Sequence, residues 1–141
     1  MSRVLGVDLG SVRIGLASSD PSGVLASPLR VLQRASDHAA DHESIFAAAR
    51  EVDATTIVVG LPLSLDGSRG PAARAVLAEV AELRAVARPV GIEIDTYDER
   101  FSTVTAAYGL RAAKVRRSKR RAKIDAAAAT VILQSWLEAH R

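Results

Sequence analysis

An acidic residue inside an apolar β-strand pattern is the first sign of chemistry in this sequence. Asp8 lies in the apolar run 4–9, where a carboxylate loses hydration and needs a compensating partner. A metal ion, alone or carrying a phosphate, would be such a partner. A hydrogen bond within the following turn, which Gly10 and Ser11 mark, is the simpler alternative, so the decision rests on acids elsewhere in the chain.

Two acids much later in the chain favour the metal site. Glu99 follows the alternating run 91–97, and Asp125 begins a helical stripe that continues through Ala128, Ala129, Ile132 and Trp136. An acid in such a stripe faces inward. The helix N-terminus stabilises its charge by only ~0.3–1 kcal/mol, which is small against the several kcal/mol of an unpaired buried ion. A cap or an ion pair with nearby basic residues is the alternative for Asp125.

Converging carboxylates would repel one another unless a cation lay between them. Ligation by oxygen alone favours Mg²⁺ or Mn²⁺. Two such ions about 3.5–4 Å apart support displacement at phosphorus, because one activates water and the other stabilises the leaving oxygen. No serine has an evident histidine partner, and we expect His38, His42 and His140 to face solvent. The acids therefore predict metal-dependent hydrolysis of phosphodiester bonds.

A basic segment, residues 111–123, is the second candidate functional feature. Eight of its thirteen residues are Lys or Arg and none is acidic, so subtracting its charge of +8 from the total of +3 leaves −5 elsewhere. Arginine outnumbers lysine, and guanidinium groups match phosphates. We interpret the segment as a polyanion-binding loop rather than a merely solvated surface. The residues expected to contact phosphates are Arg116, Arg117, Lys119, Arg120 and Arg121.

The apolar pattern predicts a mixed sheet that would position these acids. We predict strands over 3–9, 13–19, 24–27 resuming at 29–32, 55–60 and 91–97, and helices after Ser36 or Asp37, from Pro71 to Pro89, over 102–110 and over 124–139. Pro28 indicates an edge strand. This order implies an antiparallel three-strand meander plus two parallel strands, flanked by helices on both faces. Ligands of such α/β sheets bind at the carboxyl ends of strands.

Composition limits the class of protein. At 141 residues and 48% apolar, we expect one domain over residues 1–141. The absence of cysteine excludes disulfides, thiolate catalysis and cysteine zinc sites. No apolar run approaches the ~18 residues of a membrane span, and the first strand starts too early to leave room for a signal peptide. We therefore expect a cytoplasmic protein without a membrane partner.

Four motifs together resemble the YqgF/RuvX family. They are Gly6-Val7-Asp8-Leu9-Gly10 with Ile14-Gly15, Val59-Gly60-Leu61-Pro62-Leu63 with Asp66-Gly67-Ser68, Asp98-Glu99-Arg100-Phe101-Ser102-Thr103, and Lys123-Ile124-Asp125 with the stretch from Ala127 to Trp136. They occur in the family's order and cover almost the whole chain. The resemblance implies a ribonuclease H-like fold and a nuclease, described both as a Holliday junction resolvase and as the enzyme that matures the 5′ end of pre-16S ribosomal RNA.

The resemblance also implies roles for individual residues. Asp8, Glu99 and Asp125 would be catalytic and bind two Mg²⁺ or Mn²⁺ ions. Junction resolvases usually carry a fourth acid near the one that corresponds to Asp125, whereas this chain has Ala128 and Ala129 there. This difference weakens the inference that this chain shares their junction-cleaving activity. The substrate would be structured RNA such as pre-rRNA, or branched DNA, and symmetrical junction cleavage would require a homodimer.

Several residues near the acids are candidates for nucleic-acid contacts: Gly10, Ser11, Arg13, Arg100, Ser102 and Thr103. Arg100 either holds the scissile phosphate or pairs with Asp98. Gly10 either lets the nucleic-acid backbone approach or serves only a tight turn. The loop 60–68 would line the cleft, and Tyr108 and Trp136 are core residues or candidates for an interface or base stacking.

Two other functions compete with the nuclease. Residues 8–15 also resemble the first phosphate loop of actin-like ATPases and sugar kinases, but those proteins close two such domains around the nucleotide and 141 residues allow only one. A non-catalytic RNA- or junction-binding module would use the basic segment equally well. Three inward acids would oppose its binding of a polyanion unless metal were present.

Overall fold

The computed structural model describes residues 3–101 and 117–140, with side chains for residues 3–100 and 126–140. The strands are β1 (Arg3–Leu9), β2 (Arg13–Ser19), β3 (Ala26–Gln33), β4 (Ala54–Leu61) and β5 (Glu93–Asp98). The helices are α1 (His38–Glu51), α2 (Pro71–Ala87) and α3 (Arg117–Ala139), with short 3₁₀ helices at Arg88–Val90 and Glu99–Phe101. Within these ranges, no helix is long and apolar enough to cross a membrane.

The strands form one mixed sheet in the order β3-β2-β1-β4-β5. The pairs β1–β2 and β2–β3 are antiparallel, and the pairs β1–β4 and β4–β5 are parallel. The predicted meander and parallel pair are therefore confirmed. Strand β3 lies at an edge, where Pro28, which lacks an N–H donor, is tolerated. The carboxyl ends of β1, β4 and β5 lie at the same edge of the sheet.

Helices α1 and α2 cover one face of the sheet. The core residues that share this cluster include Leu5, Val7, Ile57 and Val59 of the sheet, Ile45 and Phe46 of α1, and Val80 and Leu83 of α2. Burying each such side chain stabilises the fold by roughly 1.5–3 kcal/mol. Asp37 caps α1, since its Oδ1 accepts a hydrogen bond from the Ala40 backbone N–H at 2.8 Å, and Pro71 starts α2.

Helix α3 covers the opposite face through a second core. That core contains Val4, Ala17, Ala26 and Val58 of the sheet with Ala129, Ile132, Leu133 and Leu137 of the helix. A Cβ atom on Gly6 would lie 2.7 Å from Leu133 Cβ and 3.0 Å from the Ala129 carbonyl oxygen. Glycine at this position therefore lets the helix pack directly against β1, which completes the predicted helical cover on both faces.

The predicted bounds of β4 and β5 differ from the observed ones by one or two residues, and two elements differ more. Helix α3 begins at Arg117 rather than near Ile124, because Arg, Lys and Ala favour helix and the second half of the basic segment continues it. Strand β3 is continuous from Ala26 to Gln33, with an irregular register opposite Leu16 and Ala17. The helix predicted over 102–110 lies outside the described residues.

Candidate active site

The parallel strands bring Asp8 and Glu99 to the same edge of the sheet. Val7 pairs with Val59, so the next residues along β1 and β4 are Asp8 and Gly60. Gly60 in turn pairs with Tyr97, two residues before Glu99. Alternate residues of a strand share a face, so Asp8 lies on the same face as Gly6, which packs against α3.

The absence of a side chain at Gly60 makes room for the Glu99 carboxylate. A Cβ atom there would lie 3.1 Å from Glu99 Oε2 and 2.5 Å from Ile132 Cδ1. Burial, and secondarily the charge of Asp98, raises the pKa of Glu99 above its ordinary value. A half-buried carboxylate whose charged form is disfavoured would be stabilised by a cation. Its oxygen donors fit Mg²⁺ or Mn²⁺.

The backbone of Asp125 lies in α3, one helical turn before Ala129. Trp136 contacts Asp95 near the middle of β5, whereas Ile132, one turn earlier, lies at Gly60 near the end of β4. Towards its N-terminus, α3 therefore approaches the carboxyl edge of the sheet. The Asp125 backbone lies seven residues, or about 10–11 Å, further along the helix than Ile132, on the side of Asp8 and Glu99. Its side chain lies outside the described residues.

Arg100 forms an ion pair with Asp98, which is one of the two roles that the sequence suggested for this arginine. Its Nη2 lies 2.6 Å from Asp98 Oδ2, and its Nη1 donates to the Leu65 carbonyl at 3.2 Å. This pairing holds the pKa of Asp98 below its ordinary value. Gly67 has a φ of 87°, and a Cβ there would lie 3.3 Å from Arg100 Nη1. Arg100 thus fastens the loop after β4 to the end of β5.

The turn beside Asp8 requires glycine for a structural reason. A Cβ atom on Gly10 would lie 2.6 Å from the Arg13 carbonyl oxygen, so the tight turn alone explains this residue. Ser11 is exposed. The turn is also held from outside, because Arg34 Nε donates to the Gly10 carbonyl at 2.8 Å and the Arg34 backbone N–H donates to the Val12 carbonyl at 3.0 Å.

Arg34 and its partners are site-supporting residues that the sequence interpretation missed. Arg34 Nη1 donates to Asp41 Oδ2 at 3.0 Å, and its Nη1 and Nη2 donate to the Glu79 carboxylate at 2.9 and 2.6 Å. Asp41 and Glu79 are buried. Both share helical faces with buried apolar residues, Asp41 with Ile45 and Glu79 with Val76 and Leu83. The spacing criterion that singled out Asp125 would have found them as well.

The expectation that all three histidines face solvent is wrong for His42. Only 4% of His42 is exposed, and its Nε2 lies 2.8 Å from Glu79 Oε1. It precedes Ile45 and Phe46 by three and four residues, which places it on the buried face of α1. His38 and His140 are exposed.

Trp136 is a core residue, as one of its two interpretations had it. It packs against the second core, donates from Nε1 to Asp95 Oδ2 at 2.8 Å and stacks on His140 with ring centroids 3.9 Å apart.

The other residues predicted to contact nucleic acid or to stack lie wholly or partly outside the described part of the chain. Those wholly outside it are Ser102, Thr103, Tyr108 and Arg116. The backbones of Arg117, Lys119, Arg120 and Arg121 lie in the first turns of α3, and their side chains are likewise outside the described part of the chain.

Comparison with known proteins gives consistent results at the levels of family, relatives and fold. The family model described as "RuvX: Holliday junction resolvase" matches residues 2–139. Two relatives are each named "Putative pre-16S rRNA nuclease". The one from Kineococcus radiotolerans is 49% identical over 97% of this chain and 72% of its own. The one from Streptomyces avermitilis is 45% identical over 99% and 87%.

Solved structures of Thermus thermophilus RuvC share the fold. One, in complex with a Holliday junction substrate, has a TM-score of 0.63 at 15% identity, covering 99% of this chain and 96% of that chain. Another has a TM-score of 0.62 at 14% identity, covering 98% and 95%. The fold is therefore ribonuclease H-like, as expected. Because the family model spans nearly the whole sequence and close relatives align along its length, this chain belongs to the RuvX family.

Proposed function

We propose that this protein is a divalent-metal-dependent nuclease that hydrolyses phosphodiester bonds, with Asp8, Glu99 and Asp125 as catalytic metal ligands. The observation that carries the proposal is the half-buried Glu99 carboxylate, seated against Gly60 at the edge where β1 also brings Asp8. Burial and the charge of Asp98 raise the pKa of this carboxyl, and a bound cation would favour its ionised form. The family match and the relatives' names favour a nuclease.

The three acids would hold two Mg²⁺ or Mn²⁺ ions. When bound, these ions would activate water and stabilise the charge that develops on the leaving oxygen. The chain's own contribution is to hold the ligands in place. Gly60 leaves space for Glu99, the Arg100–Asp98 pair fixes the backbone on either side of Glu99, and Arg34 fixes the turn after Asp8.

We propose pre-16S ribosomal RNA as the substrate, because the relatives at 45–49% identity carry that name, whereas the junction-bound RuvC shares only 15% identity. Branched DNA is the alternative. Flanking phosphates would be contacted beside Asp8 by Ser11 and Arg13, and beyond Glu99 by Ser102 and Thr103, whereas Gly10 serves the turn and Arg100 pairs with Asp98. The basic segment would contribute Arg116, Arg117, Lys119, Arg120 and Arg121.

Cleavage of two labelled substrates, side by side, tests this function. We expect the protein to cut pre-16S rRNA near its 5′ end in Mn²⁺ or Mg²⁺, and to cut a four-way DNA junction less or not at all. Asp8→Asn and removal of metal should each abolish cleavage. Asp53→Asn is the matched control, since Asp53 is exposed and precedes β4 at the opposite edge of the sheet. Its positive φ of 57° also suits asparagine.

Other outcomes would change the assignment. Cleavage of the junction alone would overturn the proposed substrate. If the parent protein and Asp8→Asn bound both nucleic acids tightly and neither protein cut them, the chain would be a binding module rather than a nuclease. Cleavage that persisted in Asp8→Asn would contradict the assigned metal ligands.

The basic segment should govern the salt dependence of binding. Replacing Arg116, Arg117 and Arg120 with alanine should weaken binding of all nucleic acids with little change in sequence preference. Each lost phosphate contact reduces the magnitude of the negative slope of log K against log salt by about 0.7–0.9, so we expect the slope to become shallower by roughly 2–3. Affinities measured between low and moderate salt give this slope. A triple alanine variant of the exposed Arg50, Arg74 and Arg88 is the control, and a parental slope in the first variant would refute the proposed contacts.

A further inference from the structure

A cluster of imidazole and carboxylate groups lies between α1 and α2, on the opposite face of the sheet from α3. His38 and His42 are one turn apart on α1, and Glu79 and Glu82 are one turn apart on α2. One ligand atom from each of His38, His42 and Glu79 lies within 4.8 Å of the other two. The nuclease mechanism uses none of these side chains.

Glu82 is the carboxylate near the Nδ1 atoms of both histidines. Its Oε2 lies 3.1 Å from His38 Nδ1 and 4.0 Å from His42 Nδ1. Ligand atoms about 2.0–2.2 Å from a tetrahedral Zn²⁺ are separated by roughly 3.4 Å. Glu82 Oε2 is slightly closer than this to His38 Nδ1 and slightly farther from His42 Nδ1. His38 and Glu82 are about half exposed, which leaves them free to adjust around an ion. A pocket of about 630 Å³, lined in part by His38, His42 and Glu82, gives access from solvent.

Glu79 supports His42 rather than acting as a further ligand. Its two oxygens already accept from Arg34 at 2.9 and 2.6 Å, and an ionised carboxylate has no proton to donate. The 2.8 Å contact with His42 therefore has His42 Nε2 as the donor. In the neutral imidazole, Nδ1 then carries the lone pair, on the side of Glu82. A carboxylate behind a histidine is the arrangement that orients metal-binding imidazoles.

We propose that His38, His42 and Glu82 bind one divalent transition-metal ion of the Zn²⁺, Co²⁺ or Ni²⁺ type. Imidazole nitrogens favour these ions over Mg²⁺, which prefers oxygen ligands and water. The ion would join α1 to α2, and it is separate in position and chemistry from the oxygen-only site of the three acids. The inference therefore holds whether or not the protein is a nuclease.

Spectroscopic titration with Co²⁺ tests the site. Tag-free protein is stripped of metal and titrated in excess Mg²⁺, and bound Co²⁺ is then displaced with Zn²⁺. We expect one Co²⁺ to bind per chain and to show the visible absorption bands of Co²⁺ with nitrogen ligands. His38→Ala and Glu82→Gln should each weaken affinity at least 10-fold. Both residues are exposed enough to replace without opening the core. Zn²⁺ should raise the Tm of the parent but not of these variants.

His140→Ala is the matched control, because His140 is the one remaining histidine in the sequence and stacks on Trp136. Its Co²⁺ affinity and Zn²⁺-induced Tm shift should equal those of the parent. The proposal is overturned if the parent binds no Co²⁺, if His38→Ala binds it as tightly as the parent, or if His140→Ala loses affinity to the same extent.

Discussion

Replacing Glu99 with glutamine should lower the rate of phosphodiester cleavage at least about 100-fold, while the protein remains folded. Glutamine keeps the shape of Glu99 against Gly60 but removes the charge that would hold a divalent ion. Bound metal stabilises the transition state of phosphoryl chemistry by several kcal/mol, and about 2.7 kcal/mol corresponds to a factor of 100 in rate. Single-turnover cleavage of labelled pre-16S rRNA measures the loss.

The same variant should show the opposite effect on stability when metal is removed. Burial and the neighbouring Asp98 raise the pKa of Glu99, so its ionised form is disfavoured in the folded protein and a neutral amide relieves that cost. In chelator, the Tm of Glu99→Gln should equal or exceed that of the parent. Mn²⁺ should raise the parent's Tm, because a ligand that binds only the folded state stabilises it, and should leave the variant's Tm unchanged.

Glu93→Gln is the matched control for both measurements. Glu93 is an exposed residue at the start of β5, so its replacement should change neither the cleavage rate nor the response to Mn²⁺. Cleavage by Glu99→Gln within a few-fold of the parent would contradict a ligand role for Glu99. A variant whose Tm still rose with Mn²⁺ as the parent's does would contradict it independently.

Replacing Arg34 with alanine should lower the free energy of unfolding by about 3–5 kcal/mol, the cost of leaving buried charges without their partner. The guanidinium is the common partner of Asp41 and Glu79, whose side chains are only 3% and 5% exposed. Folded domains are stable by about 5–15 kcal/mol, so the loss is a large fraction of the total. Urea unfolding of the parent and variant at pH 7 measures it.

The control for this prediction lies in the adjacent strand. Arg30 in β3 pairs with Glu51 on the surface, where such pairs contribute only about 0–1 kcal/mol. Arg30→Ala should therefore change the free energy of unfolding by less than about 1 kcal/mol. Equal losses in the two arginine variants would show that the Arg34 network does not carry the expected stability.

The Arg34 network should also determine how the free energy of unfolding falls at acid pH. Burial raises the pKa of Glu79, but hydrogen bonds from Arg34 and His42 outweigh burial and hold that pKa below its ordinary value. A carboxyl whose pKa is lower in the folded than in the unfolded state stabilises the fold fully at pH values above its unfolded-state pKa, which is about 4.3–4.5 for glutamate. This stabilisation is lost as the pH falls through the lowered folded-state pKa. The parent should therefore lose stability below about pH 4.5, and Arg34→Ala should lose less over that range.

Much of the secondary structure follows from local sequence patterns. The predicted bounds of β1 and β2, residues 3–9 and 13–19, agree with the structure, because their apolar runs are bounded by a glycine–serine turn and by Pro21. The edge position of β3 was predicted from Pro28, since proline lacks the N–H that a central strand requires. These features depend on neighbouring residues alone.

Features that depend on distant partners were predicted less well. Glu79 is stabilised by Arg34, 45 residues away, and the burial of His42 depends on Glu79 in the next helix. The sequence predicted His42 to face solvent and did not single out Glu79, because apolar spacing does not reveal which charged side chains will meet. The start of α3 was missed because a run of basic residues has the same composition in a helix as in a solvated loop, and packing at the other end of the helix extends it.

The sequence by itself determined the order of the described strands and helices, the three isolated acids, the basic segment and the resemblance to the RuvX family, because each is a matter of residue type and local spacing. Only the tertiary structure decided that β1, β4 and β5 end at one edge, that Gly60 makes room for Glu99, and that Arg34 ties two buried acids to the turn beside Asp8. The physical reason is that burial and charge pairing are properties of surfaces brought together by folding. A residue's own neighbours in the chain do not specify them.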